Sequence, residues 1–304
     1  MEDFDKDISV SICTQTFNHG GYIRQCLEGF LSQKINFKFE VIINDDASTD
    51  DTAVIVKEYE ARYPNIIKAI YQKDNQYSKG VNTLTRLLFH KAQGKYIAIC
   101  EGDDYWCDEN KLQKQVDFME ANKESAMCFT NVNVFDDDTK ELKPYWTKIE
   151  TKNYEINDLL KGNVAPNCSV MFRNGLVDFS RHTFEGLPMG DWPLYVFLLR
   201  KGYATYLDFV SAVYRVRSAS MYSKISVVDQ LRSKHRIFEY FMQSEDLLTQ
   251  RKLIKKVYYQ NLYALAIRLP KSDVNRKQHL KSIFFQSVIS NVPLRFKALV
   301  KLIT

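Results

Sequence analysis

Several absences in this 304-residue sequence each remove a class of protein. No run of about 18 uncharged apolar residues occurs, so no membrane-spanning helix is expected. The six cysteines (Cys13, Cys26, Cys100, Cys107, Cys128 and Cys168) are scattered and form no CxxC pair, which points to reduced, buried thiols rather than a zinc site or a disulfide framework. No GxGxxG follows the first strand and no GxxxxGK[ST] occurs, so neither a dinucleotide fold nor a phosphate-cradling glycine loop is indicated. HExxH and GxSxG are also missing, as is any nucleic-acid recognition motif. Met1 to Asp7 is acidic, without the basic start and apolar stretch of a signal peptide, and the expected location is the cytoplasm.

What is present is a globular composition, 45% hydrophobic and 26% charged. The net charge of +5 hides an asymmetry. From Met221 onward sixteen Lys and Arg face five Asp and Glu, whereas residues 1–220 are acidic overall. Two differently charged parts suggest two jobs, and the expected division is residues 1–222 and 223–304.

The first part alternates strand and helix signals. Ile8–Thr14, Phe39–Ile43, Ile66–Tyr71 and Tyr96–Cys100 read as strands. Tyr22–Gln33, a segment from Ser48 to about Tyr63, Thr83–Ala92 and Lys111–Asn122 read as helices, the second opened by a Ser48/Asp51 capping box. This alternation implies an α/β fold, a mostly parallel sheet covered on both faces. Ala126–Phe135 and Ser169–Phe172 look like further strands and Asp191–Arg200 like a helix. Beyond Ser223 the pattern is helical.

In open α/β sheets ligands bind beyond the carboxyl ends of strands. Three polar clusters fall there: Gln15 to Asn18, Asp45 with Asp46, and Glu101 to Asp104. Acidic groups gathered at one sheet edge repel one another unless a cation sits among them, and Mg²⁺ or Mn²⁺ with oxygen ligands suits them. Paired aspartates at a strand end can equally shape a turn or cap a helix, but two such clusters at neighbouring strand ends are less easily explained that way. Without a glycine nest, a bound diphosphate would need a metal and basic side chains, for which Lys79, Arg86, Arg215 and Arg217 are the candidates.

Four stretches, in order, carry a resemblance: VSICTQTFN (Val10–Asn18), FEVIINDDASTDDT (Phe39–Thr52), AQGKYIAICEGDDYWCDENKLQKQVDFME (Ala92–Glu120) and GDWPL (Gly190–Leu194). Over roughly residues 8–220 the chain resembles the family-2 inverting glycosyltransferases with a GT-A fold. The resemblance implies that Gln15, Thr16, Phe17 and Asp46 hold the nucleoside of a nucleotide-diphosphate sugar, that Asp103 lies near the ribose and the metal, and that Asp104 coordinates the metal. Asp191 would be the catalytic base toward a glycan or lipid-linked acceptor. Asp191 also suits a helix N-cap, with Pro193 early in the helix. Gln15 stands where relatives have proline, and Arg217 where many have a metal-ligating histidine. Either the metal has fewer protein ligands here, or Arg217 takes over part of the charge neutralisation.

The basic C-terminal part lies outside the resemblance. Leu294–Ile303 mixes apolar and basic residues, which suits packing against the first part or peripheral contact with an anionic membrane at its inner face. The alternative to sugar transfer is a non-catalytic sugar-nucleotide binder or scaffold.

Overall fold

The structure, a computed structural model, describes residues 8–145, 152–217, 225–270 and 272–290, with side chains up to residue 283. Leu294–Ile303, Met1–Asp7 and the expected boundary at residue 222 lie outside these residues. Backbone contacts divide the chain into two compact units, Met1–Gly186 with Gly190–Ser218, and Leu187–Met189 with Ala219–Thr304.

In the first unit the chain runs β1 (Ile8–Thr16), α1 (Ile23–Leu31), β2 (Lys38–Asp45), α2 (Thr52–Arg62) and β3 (Ile67–Tyr71). A π-helical turn at Leu84–Leu88 leads through α3 (Phe89–Lys91) to β4 (Tyr96–Ile99), β5 (Tyr105–Trp106) and α4 (Lys111–Ala121). Then follow β6 (Ser125–Asp136), β7 (Glu141–Pro144), β8 (Lys152–Tyr154), α5 (Ile156–Leu159), β9 (Met171–Arg173), α6 (Asp191–Leu198) and β10 (Tyr203–Val216). The sheet order is β3-β2-β1-β4-β9-β6-β10-β5, with β7 beside β6 and β8 beside β10. β1 to β4 pair in parallel, as do β6 and β10, while β9 joins the two groups antiparallel. The sheet is mainly parallel, and its parallel strands are buried runs of Val and Ile.

A buried apolar cluster in this unit includes Ile12, Phe30, Val41, Val56, Trp106 and Leu112. Trp106 meets the Phe30 ring edge-on at 4.6 Å and donates its indole N–H to the Cys168 carbonyl at 2.9 Å, anchoring the chain just after the Glu101–Asp104 cluster. Five of the cysteines are buried and all six are free thiols.

Local differences from the sequence reading have physical causes. The capping box at Ser48 and Asp51 does not form. Ser48 Oγ instead accepts the Asn18 N–H at 2.9 Å, and Asp50 takes the Thr52 N–H at 3.0 Å. The 14-residue β10 is a strand that the periodicity left unassigned, although its Tyr, Val and Thr content suits a sheet. Trp192 is buried, with its indole N–H on the Leu159 carbonyl at 2.6 Å.

The second unit contains α7 (Val227–Gln243), a 3₁₀ turn at Glu245–Gln250, α8 (Arg251–Ala266) and α9 (Val274–Ser290). Ser226 caps α7 by accepting the Asp229 N–H at 3.1 Å. Leu262 and Ile283 form a small core with Tyr258, Tyr259 and Tyr263. Among the described residues no helix is long and apolar enough to cross a membrane.

Candidate active site

The parallel strands end together, and their loops form the site. Gln15 and Thr16 pair with Asn44 and Asp45 across β1 and β2, and the Asp46 N–H continues the ladder onto the Thr16 carbonyl at 2.9 Å. Gln15 Oε1 accepts from Thr83 Oγ1. Phe17 is 42% exposed, an aromatic face left open at the strand end. The turn beyond it is fixed by Asn18, whose φ of 53° is of a kind that asparagine tolerates and whose Oδ1 accepts the Thr49 N–H at 2.8 Å.

The two aspartates after β2 differ in their partners. Asp46 accepts the Gln76 N–H at 2.7 Å and the Tyr77 N–H at 3.0 Å, one on each carboxylate oxygen. Asp45 is buried, and its Oδ1 has no hydrogen-bond partner. Burial raises the Asp45 pKa against the hydrogen bonds from Ser48 that hold it down.

At the end of β4, Gly102 brings the next loop against β1. A Cβ on Gly102 would stand 2.7 Å from Thr16 Oγ1 and 3.0 Å from His19 Nδ1, so no larger residue fits here. This close approach packs Glu101, Asp103 and Asp104 beside the first loop. Asp104 is buried; its Oδ1 accepts the Arg215 N–H at 2.7 Å, and the Cys168 thiol hydrogen-bonds its carboxylate. Burial first, then the charges of Asp103 and Glu101, push its pKa well above the ordinary carboxylate value. Asp103 Oδ2 accepts from Arg217 Nη2 at 2.7 Å and lies 3.6 Å from His19 Nε2. Burial lowers the His19 pKa, against the pull of Asp103.

Glu101 reaches the surface, yet protein crowds its carboxyl enough to hinder hydration. With Asp103 and Asp191 as negative neighbours, its pKa is pushed up to about 7. Asn167 Nδ2 donates to Glu101 Oε1 at 3.2 Å, and Tyr195 Oη donates to Asn167 Oδ1 at 2.7 Å.

Asp191 opens α6 as its first residue, with Gly190 as the N-cap, one position later than the capping role suggested by the sequence. A Cβ on Gly190 would stand 2.1 Å from Asn82 Nδ2, so a larger residue here would require the Asn82 side chain to move. Asn163 Nδ2 donates to Asp191 Oδ2 at 2.9 Å. Burial raises the Asp191 pKa, while the N–H groups of Trp192 and Asp191 and the Asn163 amide act the other way.

The four cations sort into two kinds. Lys79 is exposed and pairs with Asp74 at 3.0 Å, and Arg86 is exposed and pairs with Glu185 at 3.3 Å. Arg215 is buried and committed to the scaffold: Nε donates to the Asp103 carbonyl at 2.8 Å, Nη2 to Gln25 at 2.8 Å, and the guanidinium lies over the Tyr22 ring at 4.7 Å. Arg217 stands at the carboxylates, bonded to Asp103 and 3.3 Å from His19 Nε2. Both arginines sit near the end of β10, two residues apart.

The carboxylates suit a hard divalent cation, because Asp104 and Asp103 are crowded acids whose mutual repulsion such a cation would relieve. Among the described residues no group of three or more His, Cys, Asp or Glu is arranged to hold a metal alone. Sequence reasoning gave no role to His19, Asn163 or Asn167. A lone histidine in TFNHGGY and two asparagines in a loop carry no motif, and only the folded chain shows what they touch.

A profile of glycosyl transferase family 2 matches residues 11–180. A Mycobacterium tuberculosis protein is 35% identical over 210 residues, 68% of this chain and 58% of its own length. The chain thus spans less than two thirds of that relative. An Escherichia coli protein named UDP-Glc:alpha-D-GlcNAc-diphosphoundecaprenol beta-1,3-glucosyltransferase WfaP is 30% identical over 214 residues, 70% of this chain and 79% of that protein. S. aureus TarS, solved in complex with UDP-GlcNAc, shares the GT-A fold with a TM-score of 0.69 at 17% identity, over 92% of this chain and 82% of that one. The profile spans the strand ends that gather Gln15, Asp45 and Glu101 to Asp104, and on that match the chain belongs to glycosyl transferase family 2.

Proposed function

We propose that the chain is an inverting glycosyltransferase that moves a sugar from a nucleotide-diphosphate donor to a hydroxyl of a glycan or lipid-linked acceptor, in assembly of a surface polysaccharide or similar glycoconjugate. One observation carries this reading. Asp191, on α6, lies close enough to Glu101, at the end of β4, to raise its pKa, so a base candidate and the acidic strand end share one neighbourhood.

In this reading Gln15, Thr16 and Phe17 line the nucleoside end together with the Asp45–Asp46 corner. Asp46, the residue toward the base in this reading, braces the 76–77 turn through its two accepted N–H groups. Asp103 lies toward the ribose. Asp104 and Asp103 would hold Mn²⁺ or Mg²⁺, which would offset the charge of the departing diphosphate. Lys79 adds rim charge, Arg217 stands where phosphate oxygens would arrive, and Arg215 holds the Asp103 carbonyl and the Asp104 carboxylate in place.

Asp191 accepts the proton of the acceptor hydroxyl as that oxygen attacks the anomeric carbon opposite the diphosphate. The Asn163 amide holds the Asp191 carboxylate through Oδ2. The bond to the diphosphate breaks as the new glycosidic bond forms, and no covalent enzyme intermediate is needed. The basic second unit, with the exposed Leu248 and Val274, suits peripheral contact with the inner face of an anionic membrane, where a lipid-linked acceptor would reside. The name of the E. coli relative supports an acceptor of that kind.

Incubation with UDP- and GDP-sugars, Mn²⁺ and polyprenyl-diphosphate-linked acceptors tests the proposal. Release of nucleoside diphosphate with an inverted anomeric centre in the product is expected. Binding without release would favour a non-catalytic role, and retention of configuration would contradict the single displacement.

A further inference from the structure

Arg217 occupies the place where a cation is wanted. Its Nη2 lies 2.7 Å from Asp103 Oδ2 and 3.3 Å from His19 Nε2, and its guanidinium lies over the Tyr22 ring at 4.9 Å. The side chain is 18% exposed and that of Asp103 13%, so the pair is largely shielded from water without being sealed off. A guanidinium on that carboxylate oxygen and a divalent ion on the same oxygen repel each other at short range. The remaining protein donors do not compensate, because no set of three metal-ligating side chains is arranged among the described residues. Arg215 cannot substitute, since its guanidinium is held by the Asp103 carbonyl, Gln25 and three aromatic rings.

We propose that Arg217 is a built-in counter-cation for Asp103 that a diphosphate draws away, so that the chain takes up its divalent cation together with the nucleotide and only weakly without it. This rests on the donor reading above. The chemistry favours the exchange, because a planar guanidinium matches phosphate oxygens in a bidentate fork at least as well as it matches a single carboxylate oxygen. Arrival of the diphosphate supplies two changes together: an anion for Arg217, and the oxygens that a two-carboxylate metal site lacks. Metal and nucleotide are then thermodynamically coupled, each raising the affinity for the other by the same factor. The departure from a ligating histidine at this position becomes functional: a residue that would bind the metal outright is replaced by one that holds the place until the donor arrives.

Mn²⁺ binding to the full chain, followed by the electron paramagnetic resonance signal of free Mn²⁺, tests this with and without UDP or GDP. The wild type should bind Mn²⁺ at least tenfold more tightly with nucleotide than alone. In Arg217→Ala, Mn²⁺ alone should bind about fivefold or more tighter, while nucleotide affinity in Mn²⁺ falls about tenfold or more, two effects of opposite sign. Arg217→Gln, which keeps most of the side-chain bulk over Tyr22, should behave alike if the alanine variant folds poorly. Unchanged or weaker binding of Mn²⁺ alone in both variants overturns the proposal, as does undiminished nucleotide affinity. Failure of the wild type to bind either nucleotide in Mn²⁺ contradicts the donor reading instead.

Discussion

The Asn163 side-chain amide donates to Asp191 Oδ2 at 2.9 Å, tying the loop before Ala165 to the first residue of α6. The bond favours the ionised carboxylate, against the burial that raises its pKa. A base acts only when deprotonated, so in the role proposed for Asp191 activity should be lost as pH falls through that raised value. The acid limb of kcat/KM should therefore stand above the ordinary aspartate pKa of about 3.9. Asn163→Ala should move the limb further up in pH and leave the plateau rate less affected. A limb that stays in place or moves down removes Asn163 from this role.

The Gly102 backbone sets the spacing between the first and fourth strand ends. Gly102→Ala would put a methyl group 2.7 Å from Thr16 Oγ1, and the loops would have to part. The expected cost is about 1–3 kcal/mol in denaturant unfolding, with weakened nucleotide binding. Gly21→Ala, where a Cβ would meet nothing within 4 Å, serves as the control. Equal stability of the two variants would contradict the packing argument.

Lys111 is fully buried, bonded to Gln115 Oε1 at 2.6 Å and lying over the Trp106 ring at 4.3 Å. Burial lowers its pKa to about 8, against about 10.4 in the unfolded chain. Between these values the unfolded chain binds more protons, so stability rises with pH there and levels off below about 8. A shift of this size corresponds to roughly 3 kcal/mol. Thermal midpoints from pH 7 to 10 should show the rise in the wild type and lose it in Lys111→Met. Parallel curves would mean that Lys111 is already neutral or is hydrated in the fold.

Much of this architecture was legible in the residues. The apolar runs of β1, β2 and β4, each ending in polar residues, predict buried parallel strands with chemistry at their carboxyl ends, and the acidic clusters lie there. Periodicity could not show which acid has which partner. The resemblance singles out Asp46 over Asp45 without its partners, which the fold supplies: Asp46 meets the amides of Gln76 and Tyr77, while Asp45 Oδ1 is buried without a partner. The arginines of YRVR look alike. Arg215 lies under three aromatic rings while Arg217 meets Asp103, a difference made by tertiary packing of Tyr22, Tyr105 and Phe135. His19, Asn163 and Asn167 escape sequence reading because their partners (Asp103 and Arg217, Asp191, and Glu101 with Tyr195) are all distant in sequence.

The account depends most on Asp191 being a base in a site that binds donor through the other carboxylates. The most direct measurement compares wild type and Asp191→Asn, in the same Mn²⁺ buffer, for nucleoside diphosphate release and for UDP or GDP affinity. The account predicts a loss of about 10²–10⁴ in turnover with nucleotide affinity within a few-fold of wild type. Turnover that survives unchanged in Asp191→Asn would contradict it.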